Sequence, residues 1–296
     1  MTKVPGMLVT VVCQLIALSA FATNNRSAVA SSGLDTNPCT VSSPCRSFSA
    51  AMAVTADGGE IIALDSAGYG PFSISQNVSV SGAPGVHAAI TATSLNAITV
   101  NGSLDSHVNL RNLQILGGGT GAAGIANIGV GRVLVSGCFI QGFGNYGIRG
   151  TSGTMAVDHT LIADCSTGIA IQNSLASIDH SEVFGCAVAV NVVSFGQAMA
   201  TGSLRDVTTR WNNFGVLVSA TNGSAAAVTL DHCAFTDDQD AGVSVSQGTG
   251  ATLVLTMSYN WIDVLTAIGT YTINSSSTNT IGNGASGVTL TPFTLK

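Results

Sequence analysis

Short runs of alternating apolar residues lead repeatedly into a residue that tolerates a left-handed backbone. These residues are Asn112, Gly137, His159, His180, Asp206 and His232, with Met257 closing the series. By subtraction the steps are 25, 22, 21, 26, 26 and 25 residues. After each such position come β-branched or small residues, a variable loop, a Gly or Ala, and a second alternating run, as in Gly168-Ile169-Ala170-Ile171, Ala189-Val190-Asn191-Val192 and Gly215-Val216-Leu217-Val218. Period-two runs this short, split by Gly, Asn and Ser, are strands. A repeat of this length is one coil of a solenoid. The pattern therefore predicts an all-β, single-stranded right-handed parallel β-helix. The hexapeptide period of a left-handed helix and the Leu/Asn ladder of a leucine-rich repeat are absent. At roughly 4.8 Å per turn, about ten turns between Glu60 and Gly287 would make a rod of about 50 Å.

The ends read differently. Lys3 precedes the apolar run Met7 to Ala22, and Ala20-Phe21-Ala22 has the small residues a signal peptidase reads, so residues 1–22 are expected to be a cleaved signal peptide. Ala28-Val29-Ala30 is a second possible cut site. The run is too short and too early for a membrane span, and a secreted or periplasmic protein follows. Residues 23–59 read as a stapled loop and a short capping helix, and 60–296 as the solenoid. The helix is expected in the Ala-rich stretch Ser47 to Ala56, stopped by Asp57-Gly58-Gly59, with Glu60-Ile61-Ile62-Ala63-Leu64 entering as the first strand. Of 7 cysteines, loss of Cys13 with the leader leaves 7 − 1 = 6. Cys39 and Cys45 flank a Pro- and Ser-rich loop and are expected to bridge. Cys165 and Cys186 fall in the same register of neighbouring turns, where directly stacked positions fit disulfide geometry poorly, so two buried thiols are favoured over a bridge. Cys138 and Cys233 read as small core residues.

Charged residues make up only 8% of the chain, and lysine occurs only at Lys3 and Lys296. With a net charge of −6, no basic face exists to meet nucleic acid. A monomer is expected.

Several stretches carry a resemblance. Asn37-Pro38-Cys39, Pro44-Cys45-Arg46-Ser47-Phe48, Gly58-Gly59-Glu60-Ile61 and Gly68-Tyr69-Gly70-Pro71 are similar to the start of a group of secreted bacterial right-handed β-helix proteins. Ser258-Tyr259-Asn260, Ile281-Gly282-Asn283-Gly284 and Leu295-Lys296 resemble their ending. In fold that group belongs to the pectate-lyase-like superfamily. The resemblance implies shape and export, and selects no chemistry.

Three groups of residues carry candidate chemistry. Asp158-His159, Asp179-His180 and Asp231-His232 suggest a base with its orienter, and Ile178-Asp179-His180 resembles part of a pectate-lyase signature. Adjacent strand residues point to opposite faces, however, and the His positions coincide with Asn112, Gly137 and Asp206, so all six are read as structural turns. The outer face of the second run would carry Arg149, Gln172 and Asn191, with Trp211 in a nearby loop, as candidate ligand-binding residues. That strip lacks both the acid-and-base set of a uronate lyase and the clustered carboxylates of a hydrolase. Asp164 is the expected ion-pair partner of Arg149. Asp237, Asp238 and Asp240 form the single acidic cluster, candidate catalytic acids or calcium ligands, although no cofactor is required. The reading favoured is a non-catalytic β-helix that binds extracellular polysaccharide or serves as a surface component. The alternative is a divergent polysaccharide lyase or glycoside hydrolase.

Overall fold

The computed structural model describes residues 24–293 except 222, 249, 250, 270, 283, 284 and 287. The expected signal peptide lies outside these residues. The chain winds as a right-handed parallel β-helix. Twelve parallel strands stack in one long sheet, and the remaining strands form a short sheet and a third sheet. One apolar cluster runs along the axis from Val29 to Ile273. It exists because alternation turns one residue in two inward: Ile148, Ile169, Ile171, Val190, Val192, Val216, Val218, Val243 and Val245 are all fully buried.

The well-formed stack has about eight turns rather than ten. The terminal coils are the reason: sides there shrink to two-residue strands, Ala67–Gly68 at the start and Trp261–Ile262, Thr280–Ile281 and Ala285–Ser286 at the end. In two middle turns the short and third sheets instead fuse, because Leu113–Asn127 and Phe139–Gly150 run through the corner as single strands.

The first corner is built on left-handed residues. Asn112, Gly137, His159, His180, Asp206 and His232 have φ of 52, 62, 46, 45, 53 and 53°. The series closes at Tyr259, φ 55°, and not at Met257, which pairs with Leu230 inside the strand Thr252–Ser258 and points into the core. A second corner, which sequence reading did not find, lies three residues past each short-sheet strand start, at Gly142, Asp164, Gly185, Trp211 and Asp237. Between these corners each short-sheet strand is only three residues long, with its middle residue (Ile162, Val183, Thr209 or Phe235) buried.

At the entry the helix spans Phe48–Val54, capped by the Ser47 hydroxyl, which accepts from the Ala50 amide at 3.2 Å. Phe48 packs between Tyr69 and Phe72 at ring distances of 5.2 and 5.0 Å. The helix ends before Thr55 because the β-branched Thr55 is extended and its hydroxyl donates back to the Ala51 carbonyl at 2.7 Å. Asp57-Gly58-Gly59 thus belongs to the strand Thr55–Ala63 and does not stop the helix; the irregular register beside it absorbs Gly58, φ 79°.

An additional strand, Asn24–Val29, opens the long sheet. Ala28-Val29-Ala30, the alternative cut site, is buried there, so cleavage after it would remove the sheet's first strand. Cys39 and Cys45 are bridged, and the loop they close is laid against that strand by bonds from the Ala28 amide to the Cys39 carbonyl and from the Cys45 amide to the Ala28 carbonyl. Replacing both cysteines by alanine is expected to lower stability by about 2 kcal/mol, the loop-closure entropy of so short a ring. Thermal melts would show this, with reduced wild-type protein melting alongside the variant.

Cys138, Cys165, Cys186 and Cys233 are buried free thiols. Burial pushes the Cys138 and Cys233 thiols up to about 11 and about 12, so neither is a nucleophile near neutral pH.

Candidate functional site

The two corners make the outer face of the short sheet a grid. Each turn contributes a first-corner residue, two outward strand residues and a second-corner residue. Successive rows read His159, Leu161, Ala163, Asp164; His180, Glu182, Phe184, Gly185; Asp206, Thr208, Arg210, Trp211; and His232, Ala234, Thr236, Asp237. Trp261 continues the column after Ala234. A groove of about 730 Å³ lies over this grid between His159 and Asp237. A larger concavity of about 890 Å³ beside the helix is lined by no ionisable side chain, so the chemistry concentrates in the former.

The groove's charges are tied together across turns. Arg210 pairs with Glu182 and lies over the Trp211 ring at 4.6 Å and the Phe184 ring at 5.6 Å. His159 Nδ1 is 2.7 Å from Asp158 Oδ1. His180 Nδ1 is 3.6 Å from the same oxygen, and its Nε2 is 3.5 Å from Asp206 Oδ2. The His159 and His180 rings stack at 4.9 Å with planes 14° apart. His232 bonds Asp231 at 3.1 Å and stacks on Tyr259 at 4.6 Å.

These contacts correct the argument that adjacent Asp and His cannot pair. Alternation holds only while both residues are extended. At φ near +45° the chain turns, and the imidazole swings onto the side of the preceding carboxylate. His159 and His180 are therefore corner residues and groove residues at once, while His232 is a corner residue outside the groove lining. Asp179 is the exception: it pairs with Arg205 at 3.0 Å, leaving His180 to its neighbours.

The acidic cluster does not converge. Asp237 is exposed at the second corner, Asp240 is exposed in the loop, and Asp238 is buried. The Asp238 carboxylate accepts from the Thr209 hydroxyl at 2.8 Å, the Asn212 amide at 3.0 Å and the Asn212 side chain at 2.9 Å. Burial pushes its carboxyl above the usual range, against the opposing pull of the Asn212 and Thr209 bonds. Asp238 thus directs its oxygens to internal donors, while Asp237 and Asp240 face solvent.

The four candidate ligand-binding residues also separate. Arg149, Gln172 and Asn191 lie on the third sheet, where Arg149 donates to Gln172 at 2.9 Å and sits 5.2 Å over the Tyr146 ring. Asp164 accepts from Gln141 at 2.7 Å instead of meeting Arg149. Trp211 alone borders the groove. Glu182, Arg210 and Trp261 were not among the sequence-derived candidates, since they lie on the short strands after the first corner and not on the second alternating run. The signal was present two and four residues after each first corner, in Glu182 and Phe184, Thr208 and Arg210.

No protein family matches this sequence, and no curated protein does. Among solved structures, the chain is similar to pectate lyase Pel9A, with 13% identity, a TM-score of 0.61, and coverage of 92% of this chain and 80% of that one. It is also similar to XylC in complex with xylose, with 9% identity, a TM-score of 0.57, and coverage of 84% and 69% respectively. At these identities the likeness is one of fold.

Proposed function

We propose that this chain is exported and binds extracellular polysaccharide, without cleaving it, on the outer face of its short sheet. The observation that carries the reading is Trp211. The residue is 57% exposed and its backbone sits at φ 58°, a conformation that costs a bulky residue about 1 kcal/mol or more. Arg210 and Phe184 brace the ring so that it presents apolar surface to the groove. Exposed aromatic rings bordered by Glu182, Arg210, Asp206 and Asp237 suit a sugar, which offers an apolar ring face and hydroxyls around it. Successive rows repeat at about 4.8 Å, comparable to one pyranose, so a glycan laid along the axis would meet one row per sugar.

The non-catalytic part rests on how the acids are held. Glu182 is engaged by Arg210, Asp206 by His180 and Asp238 by internal donors, which leaves no facing pair of free carboxylates in this grid. Export is supported by the leader-like residues 1–22 and by the Cys39–Cys45 bridge, which persists in oxidising compartments. The fold shared with a pectate lyase and a xylose-bound protein supports a saccharide as the occupant.

Calorimetry against acidic and neutral polysaccharides tests the reading. Trp211→Asn, which keeps a left-handed-tolerant residue at the corner, is expected to weaken binding about 10- to 100-fold, while Arg149→Ala on the third sheet leaves it unchanged. Equal binding by Trp211→Asn would remove the groove from the account. Release of unsaturated or reducing ends, with or without calcium, would replace a binding protein with a lyase or hydrolase.

A further inference from the structure

We propose that Asp158, His159 and His180 form a binding site for a borderline divalent transition ion such as Zn²⁺, at the wall of the groove and independent of whether a glycan occupies it. One donor atom from each of the three residues lies within 4.8 Å of the others. Zinc bonds of about 2.0–2.2 Å at a tetrahedral angle place ligand atoms about 3.3–3.5 Å apart. The Asp158 Oδ1 to His180 Nδ1 distance of 3.6 Å is close to that, and the 2.7 Å contact to His159 Nδ1 needs only to open slightly.

The corner backbone supplies the preorganisation. His159 and His180 share φ values of 46 and 45° on consecutive turns, so their rings leave the chain alike and lie side by side with planes 14° apart. Because imidazole lone pairs lie in the ring plane, an ion between them requires one of these exposed rings to rotate out of the stack. Asp206, one turn further, lies 3.5 Å from His180 Nε2. A proton on Nε2 directed at that carboxylate leaves the Nδ1 lone pair facing Asp158, which is the arrangement of a ligating histidine with its orienting acid. Two imidazoles and one carboxylate favour Zn²⁺, Ni²⁺ or Co²⁺ over calcium, which takes six to eight oxygens. With side chains 66, 47 and 38% exposed, the site keeps an open fourth position towards solvent.

The turn two rows along provides an internal control. His232 also pairs with its preceding Asp, but its ring neighbour is Tyr259 and not a second imidazole. The test titrates the untagged full chain with Zn²⁺ by calorimetry and with Co²⁺ by visible absorption. Wild type is expected to take one ion per chain with ligand-field bands of a nitrogen-and-oxygen site. His159→Asn and His180→Asn, which keep a corner-tolerant residue, are expected to lower affinity at least 100-fold. Asp206→Asn should lower it about 10-fold, as loss of an orienting partner does. His232→Asn should bind as wild type. The proposal is overturned if wild type takes up no ion, if His180→Asn binds as tightly as wild type, or if His232→Asn loses as much as His180→Asn. Circular dichroism and melting of each variant distinguish loss of the site from loss of the fold.

Discussion

Asp238→Ala is expected to destabilise the protein by about 4 kcal/mol, since buried donors that lose a charged acceptor each cost about 1–3 kcal/mol. The carboxylate spans a turn, receiving Thr209 and Asn212 from the coil before it. Asn212 in turn accepts from the Cys186 amide and donates to the Val183 carbonyl one coil further back. Removing Asp238 therefore strands a hydroxyl, an amide and a side-chain N–H in the interior. Asp238→Asn keeps the shape and one accepting oxygen and should cost about 1 kcal/mol. The pair also yields a pH test. Burial holds the folded Asp238 pKa above its unfolded value, so this group favours folding most fully below the ordinary carboxylate range, and that contribution is lost as pH rises through the raised folded pKa. Subtracting the stability of Asp238→Asn from that of wild type across the acid range should give a difference that falls with rising pH. A difference that rises would show that the Asn212 and Thr209 bonds to the ionised carboxylate outweigh its burial, and an Asp238→Ala melt equal to wild type would show that the carboxylate is not the buried acceptor described.

Gly168→Val should cost about 3 kcal/mol, the upper range for overpacking a closed core. A Cβ on Gly168 would lie 2.6 Å from the Ala189 carbonyl oxygen and 2.4 Å from a Val183 methyl. The first of these is backbone of the next turn and cannot rotate away. The same approach recurs at Gly124, Gly147 and Gly215, whose added Cβ atoms would meet carbonyls of Gly147, Gly168 and Gly242 at 2.6, 2.6 and 2.5 Å. The Gly-or-Ala that begins each second alternating run is thus a spacing requirement between coils; Ala189 shows that one methyl can be accommodated. Gly68, where an added Cβ meets nothing within 4 Å, is the control, and Gly68→Ala should change stability by less than about 0.5 kcal/mol. Urea midpoints of the two variants measure the contrast; equal midpoints would mean that the coils can spread.

The long sheet and first corner were legible because both are local. Alternation exposes which residues face the axis, and a left-handed bend admits few residue types, so Asn112, Gly137, Asp206 and the histidines stand out at a coil's spacing. At the second corner Gly142, Asp164, Gly185 and Asp237 are residues such a bend admits, but Trp211 breaks the series, and only its observed φ of 58° places it there. Asn212 and Asn260 were equally silent. Their roles lie in bonds to the Cys186 and Cys233 amides, 26 and 27 residues away, which no local pattern encodes. Trp261 stands in the column of Ala234 only because the strands pair in that register.

Residue order along the chain determined the coil, its inward face and the histidine bends, since these follow from period-two alternation and the sterics of φ. Which side chains meet was decided by stacking alone. The left-handed bend turns each imidazole off the strand's alternation, and the next coil then sets Asp206 beside His180 and buries Asp238 against Asn212. An acidic run in sequence became one internal staple and two solvated carboxylates, while Glu182 and Arg210, 28 positions apart by subtraction, became a groove. Parallel stacking converts a separation of one coil into direct contact, and the register that does so is a property of the whole solenoid.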